Sequence, residues 1–172
     1  KKASAPTLEK KHQKYFLRFS YTEEVSLSKT TVKEQVICSV DLGINTDAVC
    51  SIMRADGTIL GRKFINFPSD KDHLYHVLGR ISCFQRENCS RQVQSRWAYA
   101  KRLNMELSRK IAVEITKYAR ENQANVIVFE YLEMQGKISG TKKQKLHLWR
   151  KRDIQKLCEH QAHRNGIRVS RV

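Results

Sequence analysis

The chain has 172 residues, and its 33 lysines and arginines against 17 aspartates and glutamates leave a formal net charge of +16. That is about one domain, long enough to bury ~70% of its unfolded surface without staples. So large a positive excess points to a polyanionic partner, most simply nucleic acid, with an acidic protein or an anionic membrane surface as alternatives. The longest apolar stretches are short, so neither a transmembrane span nor a signal peptide is expected. The five cysteines, Cys38, Cys50, Cys83, Cys89 and Cys158, show no paired spacing and no C-x-x-C. Cys38 and Cys50 sit in apolar patterns, where free thiols pack as small hydrophobes. This favours a reducing cytoplasm over a disulfide scaffold, and zinc is not expected in this chain.

Residues Lys1 to Lys11 are charged, contain Pro6 and lack a period; they read as a frayed lead-in. "HQKYFLRFSY" alternates Tyr15, Leu17, Phe19 and Tyr21 with mostly polar residues and predicts a strand, followed by the polar connector "VSLSKTTVKEQ". "VICSVDL" is a near-continuous apolar run, as for a central strand buried on both faces. "AVCSIMR", the turn "ADG" and "TILGRKFINF" continue from it as a hairpin.

Helical spacing then takes over. Leu74, Val77, Leu78, Ile81 and Phe84 form one amphipathic stripe. "QRENCSRQVQSR" is a polar stretch that fits a bend or an extension of either helix. Leu103, Leu107, Ile111, Ile115 and Ala119 mark a second, longer helix. Its outer faces carry Lys101, Arg102, Arg109, Lys110, Lys117 and Arg120, which suit a solvated face as well as a phosphate-binding one. "ANVIVFE" is a short β-branched run and predicts a strand. A polar loop with Gly136 and Gly140 follows. A third helix carries Trp149, Ile154, Leu157, Cys158 and Ala162, and ends at Gly166, suited to a left-handed cap. "IRVSRV" predicts a last strand. A three-stranded meander followed by helix, strand, helix and strand is the order of the α/β RNase H-like fold, a mixed sheet with helices on both faces.

Asp41 and Glu130 each terminate an apolar strand, "VICSVD" and "NVIVFE". Parallel neighbouring strands open their carboxyl ends on one edge of the sheet, where ligands bind in open α/β folds. Two carboxylates there, desolvated and mutually repelling, call for a cation. Mg²⁺ (or Mn²⁺) accepts one or two carboxylates plus water and phosphate oxygens, and a pair of such ions supports phosphodiester hydrolysis. Gly43 lets the chain turn at once. Read singly, Asp41 is also a turn-initiating residue and Glu130 also a solvent-facing strand end.

The ordered set Asp41-Leu42-Gly43, Glu130-Tyr131-Leu132, Trp149 and Gly166-Ile167 resembles the RuvC nuclease core of TnpB-like transposon-encoded proteins, shared by type V CRISPR effectors. The resemblance covers roughly Lys14 to Val172, including a two-helix insertion before Glu130. It implies that Asp41 and Glu130 are catalytic metal ligands, that guide RNA and target DNA (single-stranded in the active site) are the partners, and that the setting is a prokaryotic cytoplasm. It also implies a zinc ribbon and a third catalytic aspartate after "IRVSRV", beyond this chain. Residues 1–35 would then be a lead-in with a strand from a preceding domain, and 36–172 a partial RuvC core, incomplete at its carboxyl end and not expected to cleave alone.

Between Gln135 and Arg152 the chain has Lys137, Lys142, Lys143, Lys145, Arg150, Lys151 and Arg152 and no acidic residue. These suit phosphate contact or a solvated loop alike. Trp149 suits stacking on an unpaired base or, by its spacing with Leu157, a place in the core. Two rival functions stay open: a nucleic-acid-binding module with an inactive or incomplete core, and an actin-like ATPase, whose phosphate hairpin also begins with Asp-x-Gly.

Overall fold

In the computed structural model, which describes residues 2–131 and 151–172, the run Val36–Asp41 forms strand β5 at the centre of the main sheet. Four short strands precede it: β1 (Lys2–Ala3), β2 (Thr7–Lys11), β3 (Lys14–Arg18) and β4 (Tyr21–Thr22). They pair as β1 with β4 and β2 with β3, in two antiparallel ladders separate from the main sheet. The lead-in expectation therefore fails for Thr7–Lys11, which is a strand. Lys11 faces Lys14, so His12 and Gln13 alone make the turn, at φ of 49° and 60°. Positive φ at both turn residues matches the right-handed strand twist, but Asn-Gly is its usual sequence signal and His-Gln is not.

β5 pairs antiparallel with β6 (Ala48–Arg54), which pairs antiparallel with β7 (Ile59–Ile65). The expected hairpin turn is present: Gly57 N–H donates to Arg54 O at 3.0 Å, and Asp56 accepts from Thr58 N–H at 2.8 Å. On the other side β5 pairs in parallel with β8 (Val126–Phe129), and β8 with β9 (Arg168–Arg171). The order β7-β6-β5-β8-β9, with only β6 antiparallel to its neighbours, is the mixed sheet of the RNase H-like fold.

A 3-10 turn (Val32–Glu34) and three α-helices complete the described structure: α1 (Pro68–Arg86), α2 (Ser90–Glu121) and α3 (Lys151–Arg164). α2 and α3 pack on each other and on one face of the sheet, burying Cys38, Val40, Cys50, Ile52, Ile127 and Phe129. Ile37, Ser39, Val49 and Ser51, which alternate with these along β5 and β6, are half-buried. Burial of β5 on both faces is thus corrected to full burial on one. The apolar run misled because Ile37 makes the second face partly apolar, while Val36 packs with Cys38 and Val40 on the first.

α2 starts at Ser90, well before Leu103. "QRENCSRQVQSR" therefore divides: α1 ends at Arg86, and Asn88, at φ 55°, makes the bend. Three helix ends share one device, in which the second residue past the cap donates to a carbonyl five residues back. Cys89 N–H reaches Phe84 O (3.0 Å), Ala124 N–H reaches Ala119 O (2.9 Å), and Ile167 N–H reaches Ala162 O (2.9 Å). The left-handed positions are Asn88, Gln123 and Gly166. Only the last was expected, since glycine alone adopts this conformation without a Cβ penalty.

Cys38, Cys50 and Cys158 are buried free thiols in the core. A hydrogen bond with Cys50, then burial, pushes the Cys38 thiol far up, and burial does the same to Cys158. Cys38 and Cys158 therefore stay protonated, and all three thiols pack as hydrophobes in the core.

Candidate metal and nucleic-acid site

The parallel register of β5 and β8 builds the site. Ile37 faces Val126 and Val40 faces Phe129, so Asp41 and Glu130 are the next residues outward on adjacent strands. Val40 and Phe129 are buried beneath them, at 3% and 0% exposure. Asp41 and Glu130 themselves are exposed. Desolvation is therefore not what demands a cation here; mutual repulsion of hydrated carboxylates remains.

Lys151, the first residue of α3, comes to this edge. Burial pulls its pKa below the usual lysine value, while Glu130 and then Asp41 pull it back up. Its ammonium thus feels both carboxylates from a position shielded from solvent. Beside it lies a cleft of about 450 Å³ lined by Glu130, Lys151, Arg152, Lys156 and Arg171, among others. Arg171 is tied to Glu159 at 2.7 Å. Of the basic residues expected to bind nucleic acid, the structure brings Lys151 and Arg152 to Glu130. Lys142, Lys143, Lys145, Trp149 and Arg150 lie outside the described residues, as do Gly136 and Gly140.

The turn after β5 is held rigidly. A Cβ on Gly43 would stand 2.6 Å from Thr46 O, a distance no side chain tolerates, so this close approach requires glycine. Leu42 is buried at the turn's start. At its far end Asp47, 6% exposed, accepts from Phe67 N–H at 2.7 Å and faces the Lys71 ammonium at 3.3 Å. Lys71 also donates to Asn45 O at 2.6 Å and to the Asn66 side-chain oxygen. Lys71 therefore fastens the turn to the start of α1. Sequence reading missed this clamp, because "NTD" has ordinary turn chemistry and Lys71 lies 24 residues downstream.

Several basic groups of α2 are engaged in ion pairs. Lys110 donates to both oxygens of Asp70 (2.8 and 3.0 Å), and Arg109 meets Glu106 at 3.3 Å. Glu114 on the same helix meets Lys63 of β7 at 2.8 Å. For Arg109 and Lys110 the solvated-face reading is therefore the better one. Among the described residues, no three His, Cys, Asp or Glu side chains converge as a metal-holding group. Among the described residues the candidate donor set is the pair Asp41 and Glu130. Two hard oxygen donors, open to water on an exposed edge, fit Mg²⁺ or Mn²⁺, which keep several waters and share substrate phosphates. No described helix is long and apolar enough to cross a membrane.

No protein-family model matches the chain, and no curated protein does. Solved structures do. A cryo-EM structure of a Cas12f1–sgRNA–target DNA complex aligns at a TM-score of 0.59 with 19% identity, over 96% of this chain and 41% of that one. A CRISPR-Cas12f ternary complex, also by cryo-EM, aligns at 0.56 with 16% identity, over 90% of this chain and 31% of that one. Cas12f is a type V CRISPR effector, the group named by the resemblance. At these identities the likeness shows a shared fold, and the chain spans less than half the length of either neighbour.

Proposed function

We propose that this chain is the catalytic-core portion of a guide-RNA-dependent, Mg²⁺-dependent DNA endonuclease, with Asp41 and Glu130 as metal ligands. The observation that carries the reading is the placement of these two carboxylates side by side at the carboxyl ends of adjacent parallel strands. The fold shared with Cas12f, solved in one case with sgRNA and target DNA, supports the guide-RNA context. The net charge of +16 supports a nucleic-acid partner.

When bound, divalent ions at this edge would activate a water and stabilise the leaving oxygen of a phosphodiester. The chain's own groups do the rest. Asp41 and Glu130 present oxygen ligands to water, and the clamped turn from Gly43 to Asp47 fixes the backbone that follows Asp41. Lys151 offsets the paired negative charge, so that a phosphate can approach. Arg152 and Lys156 line the adjoining cleft and suit the next phosphates of the strand.

The second reading is a binding module with an inactive core, favoured by the two-carboxylate donor set. The experiment that separates them is target cleavage by the protein carrying this chain, loaded with guide RNA and Mg²⁺. Cleavage abolished by Asp41→Ala and by Glu130→Ala, with target binding retained, supports the endonuclease. Binding without any metal-dependent cleavage supports the module.

A further inference from the structure

The two apolar clusters of the fold do not merge. Leu74 and Leu78 of α1 belong to one, while Leu107 and Ile111 of α2 and Ile154 of α3 belong to the other. A cavity of about 360 Å³ separates them, within the ~300–1,000 Å³ range of small-molecule sites. Its walls carry the buried polar side chains Asn104 and Ser108. Ser108 Oγ donates to Asn104 O at 2.8 Å, and its oxygen can still accept. At the mouth stand Ile44, 39% exposed, and the Tyr75 ring, 68% exposed.

The cavity shares its elements with the carboxylate edge. One wall is the clamped turn that begins two residues after Asp41. Ile154 lines the cavity, while Lys151 and Gln155 of the same helix line the cationic cleft with Glu130. α3 thus has a largely apolar space on one side, with exposed Asp72 and the paired Asp47 and Lys71 among its lining, and a cationic cleft on the other. Lys71, the cavity's cation, is engaged by Asp47 and Asn45. That division matches a nucleotide, whose base is flat and uncharged and whose phosphate is anionic.

We infer that the cavity receives one unstacked nucleobase of the strand held at the carboxylate edge, an assignment that rests on the nuclease reading. Tyr75 and Ile44 flank the base, the leucines and isoleucines exclude water around it, and Asn104 and Ser108 meet its polar edge. Extrusion of the base selects for single strands, in which it is already free of pairing.

The test is methyl NMR of the full chain, without divalent ions, titrated with deoxyadenosine or deoxycytidine 5′-monophosphate and, in parallel, inorganic phosphate. The expected result is shifts at the methyls of Leu74, Leu78, Ile111 and Ile154 with the nucleotides and not with phosphate. Tyr75→Ala, on an exposed residue, should weaken this binding about tenfold, and Ser108→Leu, which fills the cavity, should remove it. Unmoved cavity methyls, equal shifts with phosphate alone, or wild-type binding by both variants would overturn the inference. Mn²⁺ binding is measured separately: a filled cavity with no metal at Asp41 and Glu130 sinks the nuclease reading and leaves the pocket. The reverse sinks the pocket alone.

Discussion

Val40 and Phe129 are register partners on adjacent parallel strands, and both are buried under the residue that follows them. A one-residue slip of either strand would turn Asp41 or Glu130 to the opposite face of the sheet, since side chains alternate. The core therefore sets the relation between the two carboxylates, and the candidate site inherits its precision from apolar packing.

Lys151 should act on both metal and phosphate. Lys151→Gln removes the cation that opposes Asp41 and Glu130. Divalent-ion affinity should rise in the absence of nucleic acid, because the carboxylates lose a competing charge. Affinity for single-stranded DNA should fall, and the slope of log K against log salt should shrink by about one ion or less. Titrations at several salt concentrations read both effects; an unchanged slope would remove Lys151 from the phosphate path.

Asp47 should matter for stability more than either candidate ligand. Asp47→Ala leaves the Phe67 N–H and the Lys71 ammonium without this acceptor at a buried position. The expected cost is about 2–4 kcal/mol, or a fall in Tm of about 5–12 °C for a chain of this size. Asp41→Ala, on an exposed strand end, should change stability by about 0.5 kcal/mol or less. Calorimetry on the two variants decides.

The Lys63–Glu114 pair gives a pH signature. Its hydrogen bond to Lys63 holds the Glu114 carboxyl below its ordinary value near 4.5, and the same bond holds Lys63 above 10.5. The Glu114 contribution is therefore present above about 4.5 and lost as pH falls through the depressed folded value. The Lys63 contribution is present below 10.5 and lost as pH rises through the raised one. Glu114→Gln should flatten part of the acid limb of urea-denaturation stability against pH and leave the neutral plateau's shape intact. An acid limb identical to wild type would show that the pair adds nothing.

Helix ends offer a test of opposite signs. Gln123 occupies a left-handed position at φ 54°, so Gln123→Gly should stabilise by about 0.5–1 kcal/mol. Gly166 occupies the equivalent position at φ 75°, and a Cβ there would stand 3.2 Å from Ser26 O. Gly166→Ala should therefore destabilise by about 1–2 kcal/mol. Chemical denaturation of both variants checks the pair.

The sequence revealed those parts of the fold where local pattern and tertiary role agree. Val36–Asp41 and Val126–Phe129 were legible as strands ending in carboxylates, and Gly166 as a helix cap, because each signal is local. The amino-terminal half of α2 was not legible, since Val93, Trp97 and Ala100 form a thin stripe among arginines and glutamines. They need α1 opposite them to become a core. The His12-Gln13 turn lacked a glycine, and the Asp47–Lys71 clamp joins residues whose proximity only the folded sheet creates. The exposure of Asp41 and Glu130 was hidden for the same reason: a strand pattern identifies the last buried residue, not the solvent beyond it.

The most direct test of the central claim is Mn²⁺ binding by the full chain, followed by electron paramagnetic resonance, for wild type, Asp41→Ala, Glu130→Ala and the double variant. The expected result is a saturable site in the wild type, weakened about tenfold or more by either single change, with little further loss in the double variant because the two residues act on one site. Wild-type affinity in both single variants would contradict the assignment of Asp41 and Glu130 as a shared metal site.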